Sequence, residues 1–225
     1  MSEGGTPRQL PLELPYEAAL GRDDFLVGDC NRAAFDLITS WPDWPSDFVL
    51  LAGPVGAGKT HLVSIWRQSS GAQIIPASSL GSQDMLAVVR DGPVAVEDAH
   101  GGLDEEALFH LLNAARDASR QVLITSRTWP AAWNLTLPDL ASRLRLATPV
   151  EVAEPDDDLL RRLLVKLFAD RQLSVDLPVI EYLVVRMERS LEAANRIVAT
   201  LDREALAARR RITRPMAATV LGHEG

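Results

Sequence analysis

Phosphate chemistry is concentrated in one run of this chain, Gly53-Pro54-Val55-Gly56-Ala57-Gly58-Lys59-Thr60, which satisfies the pattern G-x-x-x-x-G-K-[ST] at every defined position. Glycines at these places let the backbone turn sharply around an anion, so that several N–H groups aim at one phosphate. Lys59 then reaches the β- and γ-phosphates, and the Thr60 hydroxyl holds the Mg²⁺ that travels with the nucleotide. The flanks suit the loop. Phe48-Val49-Leu50-Leu51-Ala52 enters it as an apolar, buried strand, and Lys59 to Gln68 leaves it with apolar residues at helical spacing, Leu62, Val63 and Trp66. A helix starting at Lys59 adds its positive N-terminal end to the same anion. The expected ligand is a nucleoside di- or triphosphate with Mg²⁺.

Nucleotide hydrolysis needs a second acidic strand to position Mg²⁺ and the attacking water. Pro93-Val94-Ala95-Val96 ends in Glu97-Asp98 and fits that need. Glu97 is expected to face Mg²⁺, directly or through water, with Asp98 toward the γ-phosphate. A further apolar strand, Val122-Leu123-Ile124-Thr125-Ser126, ends in hydroxyl residues. Ser126 or Thr125 can report on the γ-phosphate from there, although such residues are equally suited to a plain turn.

Holding these groups in place requires alternating strands and helices. Strands are expected at Val49–Ala52, Gln73–Pro76, Val94–Asp98, Val122–Ser126 and Val150–Val152, and helices near Asn31–Thr39, Lys59–Gln68, Gln83–Val89 and Asp104–Ala118. That order predicts an α/β fold, a parallel sheet covered by helices on both faces. At Glu154-Pro155-Asp156-Asp157-Asp158 the pattern changes, because proline and carboxylates favour a helix start. Leu159–Ala169, Pro178–Met187, Leu191–Ala208 and Pro215–Leu221 all read as helix. The expected organisation is a Pro- and Gly-rich extended tail over 1–24, an α/β nucleotide-binding domain over 25–154, and a small helical domain over 155–225.

The 225 residues, 47% hydrophobic and 24% charged, describe an ordinary globular chain with no apolar run long enough to span a bilayer. One cysteine, Cys30, excludes an internal disulfide framework, so a cytoplasmic address without membrane attachment is expected. The net charge of −8 disfavours a protein that grips duplex DNA over a broad face, although arginines gather toward the C-terminus from Arg186 to Arg214. Oligomeric state is open, with room for a homodimer.

The segment Phe25-Leu26-Val27-Gly28-Asp29-Cys30-Asn31-Arg32 resembles the start of the ATPase domain of DnaA, a branch of the AAA+ ATPases. Gly58-Lys59-Thr60-His61-Leu62, Leu137-Pro138-Asp139-Leu140-Ala141-Ser142-Arg143-Leu144 and Arg189-Ser190-Leu191-Glu192-Ala193-Ala194-Asn195-Arg196 resemble the same branch. The likeness runs from Phe25 to Leu221. It implies an AAA+ core with a helical lid and an adenine pocket lined by Phe25, Val27 and Gly28, which narrows the expected ligand to ADP or ATP. It further implies an arginine finger at Arg143 that acts in trans, and a phosphate-sensing arginine at Arg189, with Arg186 and Arg196 as lesser candidates. The chain also ends where DnaA would continue into a DNA-binding domain. Its start, Gln9-Leu10-Pro11-Leu12-Glu13-Leu14, is similar to the clamp-binding motif of Hda-type regulators. Such a motif is an extended peptide in which a glutamine anchors by hydrogen bonds and spaced leucines, here Leu10, Leu12 and Leu14, enter an apolar groove.

The resemblance implies a partner-directed role. Hda-type proteins dock on the DNA-loaded sliding clamp, the β subunit of DNA polymerase III, and stimulate hydrolysis of the ATP held by DnaA, so that DNA is met through the clamp. Two departures bear on the γ-phosphate end of the pocket: Glu97-Asp98 replaces the usual Asp-Asp, and Arg127 stands where the branch carries an Asp. The nucleotide is therefore expected to brace the fold, with slow turnover. Competing classes are a AAA+ helicase loader that cycles ATP on single-stranded DNA, a small-molecule kinase, and a DnaA-related protein aimed at another target.

Overall fold

A computed structural model describes residues 20–223, so Gln9, Leu10, Leu12 and Leu14 lie outside the described residues. Five parallel strands form one sheet: β1 (Phe48–Ala52), β2 (Gln73–Pro76), β3 (Val94–Glu97), β4 (Val122–Ser126) and β5 (Thr148–Glu151), in the order β2-β3-β4-β1-β5. Helix α1 (Arg32–Thr39) precedes β1, and between the strands run α2 (Lys59–Ser70), α3 (Met85–Asp91), α4 (Glu105–Asp117) and α5 (Pro138–Leu144).

Period-two alternation on β1 divides the core into two layers. Phe48, Leu50 and Ala52 face one side, where they pack with Leu80 and with Val88, Leu108, Leu112 and Leu140 from α3, α4 and α5. Val49 and Leu51 face the other, against Ile38 of α1 and Leu62 and Trp66 of α2. All five residues of β1 are buried, which explains a continuous apolar run in place of an alternating one.

Beyond β5 the chain is helical: α6 (Asp157–Asp170), α7 (Leu177–Arg186), α8 (Leu191–Ala208) and α9 (Arg214–His223). Leu160, Leu164, Phe168, Ile180, Leu183, Ile197, Leu201 and Ala217 close a separate core among them. Asp156 starts α6 by accepting from the Leu159 N–H at 2.7 Å, and Ser190 starts α8 by accepting from the Ala193 N–H at 3.0 Å. Such caps contribute about 1 kcal/mol each.

Several details depart from the expectation: β5 starts at Thr148 and stops before Val152, and α3 is shifted to Met85–Asp91. The strand expected to reach Asp98 ends at Glu97, because Asp98 turns into the left-handed region at φ 59° and ties its N–H to Thr125 Oγ1 at 3.2 Å. The segment around Arg143 forms α5, a seven-residue helix with no counterpart among the expected ones.

Candidate functional site

In an open parallel sheet, ligands meet the loops at the carboxyl ends of the strands. Here the loop from Gly53 to Gly58 leaves β1 between its neighbours β4 and β5, and Gly53 donates its N–H to the Ser126 carbonyl at 3.1 Å. A Cβ at Gly53 would overlap the Val152 carbonyl oxygen, so only glycine lets the strand pass. Gly56 (φ 70°) and Gly58 (φ 101°) take the left-handed turns that shape the cradle. Gly58 is the N-cap of α2 and no side chain caps that first turn, which leaves its N–H groups to the concavity of the loop.

Lys59 is buried, 8% exposed, and its Nζ donates to the carbonyls of Gly53 at 2.8 Å and Pro54 at 2.7 Å. Burial lowers its pKa; Asp98 and Glu97 oppose the shift, while Arg127 adds to it. The ends of β1, β3 and β4 therefore converge on one ammonium. His100 belongs to the same group: burial lowers its pKa first, then Arg127, and its Nδ1 lies 3.9 Å from Asp98 Oδ1. Thr60 is exposed at the start of α2 and Glu97 is half-buried at the end of β3. Among the described residues no cluster of three metal-ligating side chains occurs. A Mg²⁺ ion here would take Thr60 and Glu97 together with the nucleotide's own phosphate oxygens, a donor set typical of that ion.

On the side expected to hold adenine, Phe25 is buried and stacks on Phe35, with ring centroids 5.5 Å apart. His61 meets Phe25 edge-on at 5.0 Å, and its Nε2 lies 2.8 Å from the Gly21 carbonyl. Burial is the first cause of the lowered pKa of His61. Asn31, 1% exposed, shapes the turn by accepting from the Gly28 N–H at 2.9 Å and donating to the Leu26 carbonyl at 3.0 Å. Gly28 sits against Leu159 of α6, and Arg162 donates to the Val27 carbonyl at 3.3 Å, so the lid touches this side too.

The lid closes on the loop through the start of α8. Leu191 donates its N–H to the Gly56 carbonyl at 2.9 Å. A Cβ built on Gly56 would stand 2.8 Å from Ser190 Cβ and 3.0 Å from Glu192 Cβ, while one on Gly58 would stand 3.2 Å from Leu191 Cδ1. Arg189 lies one residue before this contact and pairs with Asp157 Oδ1 at 2.7 Å, both side chains about half exposed. The Ser190–Glu192 contact and His100 are not among the expected site residues, whereas Arg127 is expected near the γ-phosphate end only as a departure from the branch. The sequence held a partial signal for the first, since serine before Leu191 marks a helix start.

Arg143 stands apart from these groups. It projects from α5 and donates through Nη2 to Asn113 Oδ1 on α4 at 2.7 Å. With Phe109, Asp139, Ser142 and Leu146 it lines a surface groove of about 340 Å³. Leu146 is 66% exposed there. Glu105 at the start of α4 holds the approach to α5 by accepting from the Thr136 N–H at 3.0 Å and the Leu137 N–H at 2.8 Å.

Residues 157–221 match the family model described as "Hda, lid domain". The chain is 27% identical over 237 residues to the chromosomal replication initiator protein DnaA of Thermomicrobium roseum, a match covering 88% of this chain and 50% of that protein. It spans about half the length, or less, of the curated relatives it matches. Domain III of the Thermotoga maritima initiator DnaA superposes with a TM-score of 0.78 at 15% identity, covering 93% of this chain and 98% of that one. The AMPPCP-bound DnaA of Aquifex aeolicus superposes with a TM-score of 0.66 at 18% identity, covering 83% and 68%. In sequence this chain is thus similar to the Hda lid over residues 157–221 and to DnaA over most of its length, and it shares its sheet-plus-lid fold with domain III of DnaA.

Proposed function

We propose that this protein is a cytoplasmic negative regulator of replication initiation that acts on ATP held by the initiator DnaA. In this reading Gln9, Leu10, Leu12 and Leu14 dock the tail on the DNA-loaded sliding clamp, which brings the protein to DNA. Arg143 then enters the nucleotide pocket of DnaA and stimulates hydrolysis. Negative charge spreads over the γ-phosphoryl oxygens in that transition state, and a planar guanidinium supplied in trans stabilises it.

One observation carries the reading. Arg143 is an arginine at a surface groove, oriented by Asn113, and that groove is lined by α4 and α5 residues and by Leu146, with no residue of the Gly53–Thr60 loop. Its position suits a neighbour's phosphate better than its own.

The chain's own loop, with Lys59, Thr60 and Glu97, is proposed to hold ADP or ATP with Mg²⁺, and Phe25, Val27, Gly28 and His61 to flank the base. A bound nucleotide supplies the phosphate charge that these residues neutralise. Asp98 and Ser126 are assigned to the γ-phosphate end and Arg189 to the lid's approach to the phosphates. Two features support bracing over turnover: Arg127 adds a cation beside Lys59, and α8 rests directly on Gly56. The domain division at about residue 154 follows the same logic, because the helices beyond it own a separate core.

The test is a reconstituted reaction containing clamp-loaded DNA and ATP-bound DnaA. Wild-type protein is expected to accelerate hydrolysis. Failure to do so, with the protein folded and nucleotide-bound, rejects the function. A DNA-stimulated ATPase activity of the isolated chain would favour the helicase-loader class.

A further inference from the structure

Charge along this chain is uneven. Between Arg186 and Arg214 stand eight arginines and four carboxylates, within a chain whose net charge is −8. Three of those arginines occupy the turn between α8 and α9, and two more share one aromatic ring beside α9. Arg209 ends α8 in the left-handed region (φ 50°), and Arg210 and Arg211 follow before α9 begins at Arg214. Arg209, Arg210 and Arg211 are exposed and line a groove of about 410 Å³, in which Asp202 is the sole lining carboxylate. Beside this run, Arg186 and Arg214 both lie over the ring of Tyr182, their guanidinium carbons 4.2 Å and 4.7 Å from its centroid.

None of these five arginines makes an ion pair among the described residues, in contrast to Arg161, Arg162 and Arg189, each of which has a carboxylate partner. Two guanidiniums held over one ring bring like charges close together, and they repel each other. An anion with repeating charge relieves that repulsion. Residues 209–214 span at most roughly 20 Å of chain, a reach that covers several phosphates of one duplex face.

We propose that the end of the lid, through Arg186, Arg209, Arg210, Arg211 and Arg214, binds the phosphate backbone of duplex DNA directly and without sequence preference. The contact goes beyond the clamp-mediated route and needs neither clamp nor DnaA. Arginines supply the affinity by neutralising phosphates and releasing counterions, so binding weakens steeply with salt.

The test is fluorescence anisotropy of the full chain against a labelled 20-base-pair duplex across a salt series of roughly 50 to 200 mM. Wild-type protein is expected to bind at low salt. The variant Arg209→Ser/Arg210→Ser/Arg211→Ser is expected to bind about tenfold or more weakly, with a salt slope shallower by about 2 to 3. Arg209→Lys/Arg210→Lys/Arg211→Lys keeps the charge and is expected to retain most binding. Arg186→Gln/Arg214→Gln, which leaves the groove-lining arginines in place, tests the same surface should the triple variant unfold. Unchanged binding in both charge-removing variants overturns the proposal. So does a wild-type protein that ignores duplex, or one that prefers single strands or a Glu/Leu-rich peptide under the same conditions. Because neither clamp nor DnaA is present, such a failure leaves the proposed regulatory function untouched, and the converse also holds.

Discussion

Substituting Gly56 by alanine tests the joint between loop and lid. The residue sits at φ 70°, and an added methyl carbon would lie 2.8 Å from Ser190 Cβ, 2.9 Å from Ser190 Oγ and 3.0 Å from Glu192 Cβ. Left-handed backbone costs an alanine about 1 to 2 kcal/mol. Displacing the start of α8 by several tenths of an ångström adds about 1 to 3 kcal/mol, as for other overpacked sites. The Leu191 N–H to Gly56 carbonyl bond is 2.9 Å long and stretches with that movement. Gly56→Ala is therefore expected to cost about 2 to 5 kcal/mol, or about 5 to 15 °C in melting temperature for a chain of this size. Ser190→Gly makes room for the methyl and costs only a few tenths of a kcal/mol as a cap. Thermal unfolding of the four members of the double-mutant cycle measures the coupling, expected at about 1 kcal/mol or more in the direction of rescue. If Gly56→Ala melts with wild type, or if Ser190→Gly makes no difference to it, α8 does not rest on the loop as described.

Lys59→Ala removes a buried ammonium that donates to Gly53 and Pro54, and nucleotide affinity should fall about tenfold or more in a titration with fluorescent ADP. Burial lowers the pKa of His61 below its ordinary value near 6.5, so the unfolded chain takes up the proton first. Its stability contribution is thus whole above about pH 6.5 and is lost as pH falls toward the lowered value. Urea unfolding at acidic and neutral pH should show that loss, and His61→Gln should flatten it in part, with His100 contributing in the same direction. Gln9→Ala and Leu12→Ala should abolish retention on immobilised sliding clamp while leaving ADP affinity unchanged.

How far the sequence could be read follows from the range of the forces involved. The β1 strand, the glycines after it and the α2 rhythm lie within a few residues of one another, and local pattern located them. The end of β3 moved by one residue because Asp98 answers to Thr125, 27 positions away. Helix α5 spans seven residues, too few for a helical period to show, and its approach is held by Glu105, about thirty positions earlier. The contact of Ser190 with Gly56 joins residues 134 apart, beyond what spacing in one sequence reveals. Arg189 illustrates the same limit: its ion pair with Asp157 joins residues 32 positions apart, which spacing does not reveal. Types and spacing gave the chemistry of the loop, whereas the loop's partners depend on how the lid folds over it.

The central claim is that Arg143 acts in a partner's pocket, and single-turnover hydrolysis of DnaA-bound ATP on clamp-loaded DNA tests it most directly. Wild-type protein should accelerate the reaction. Arg143→Ala should lose about a thousandfold or more of that acceleration, or fall to background, while keeping its own nucleotide and its place on the clamp. An Arg143→Ala protein that stimulates hydrolysis as well as wild type contradicts the account.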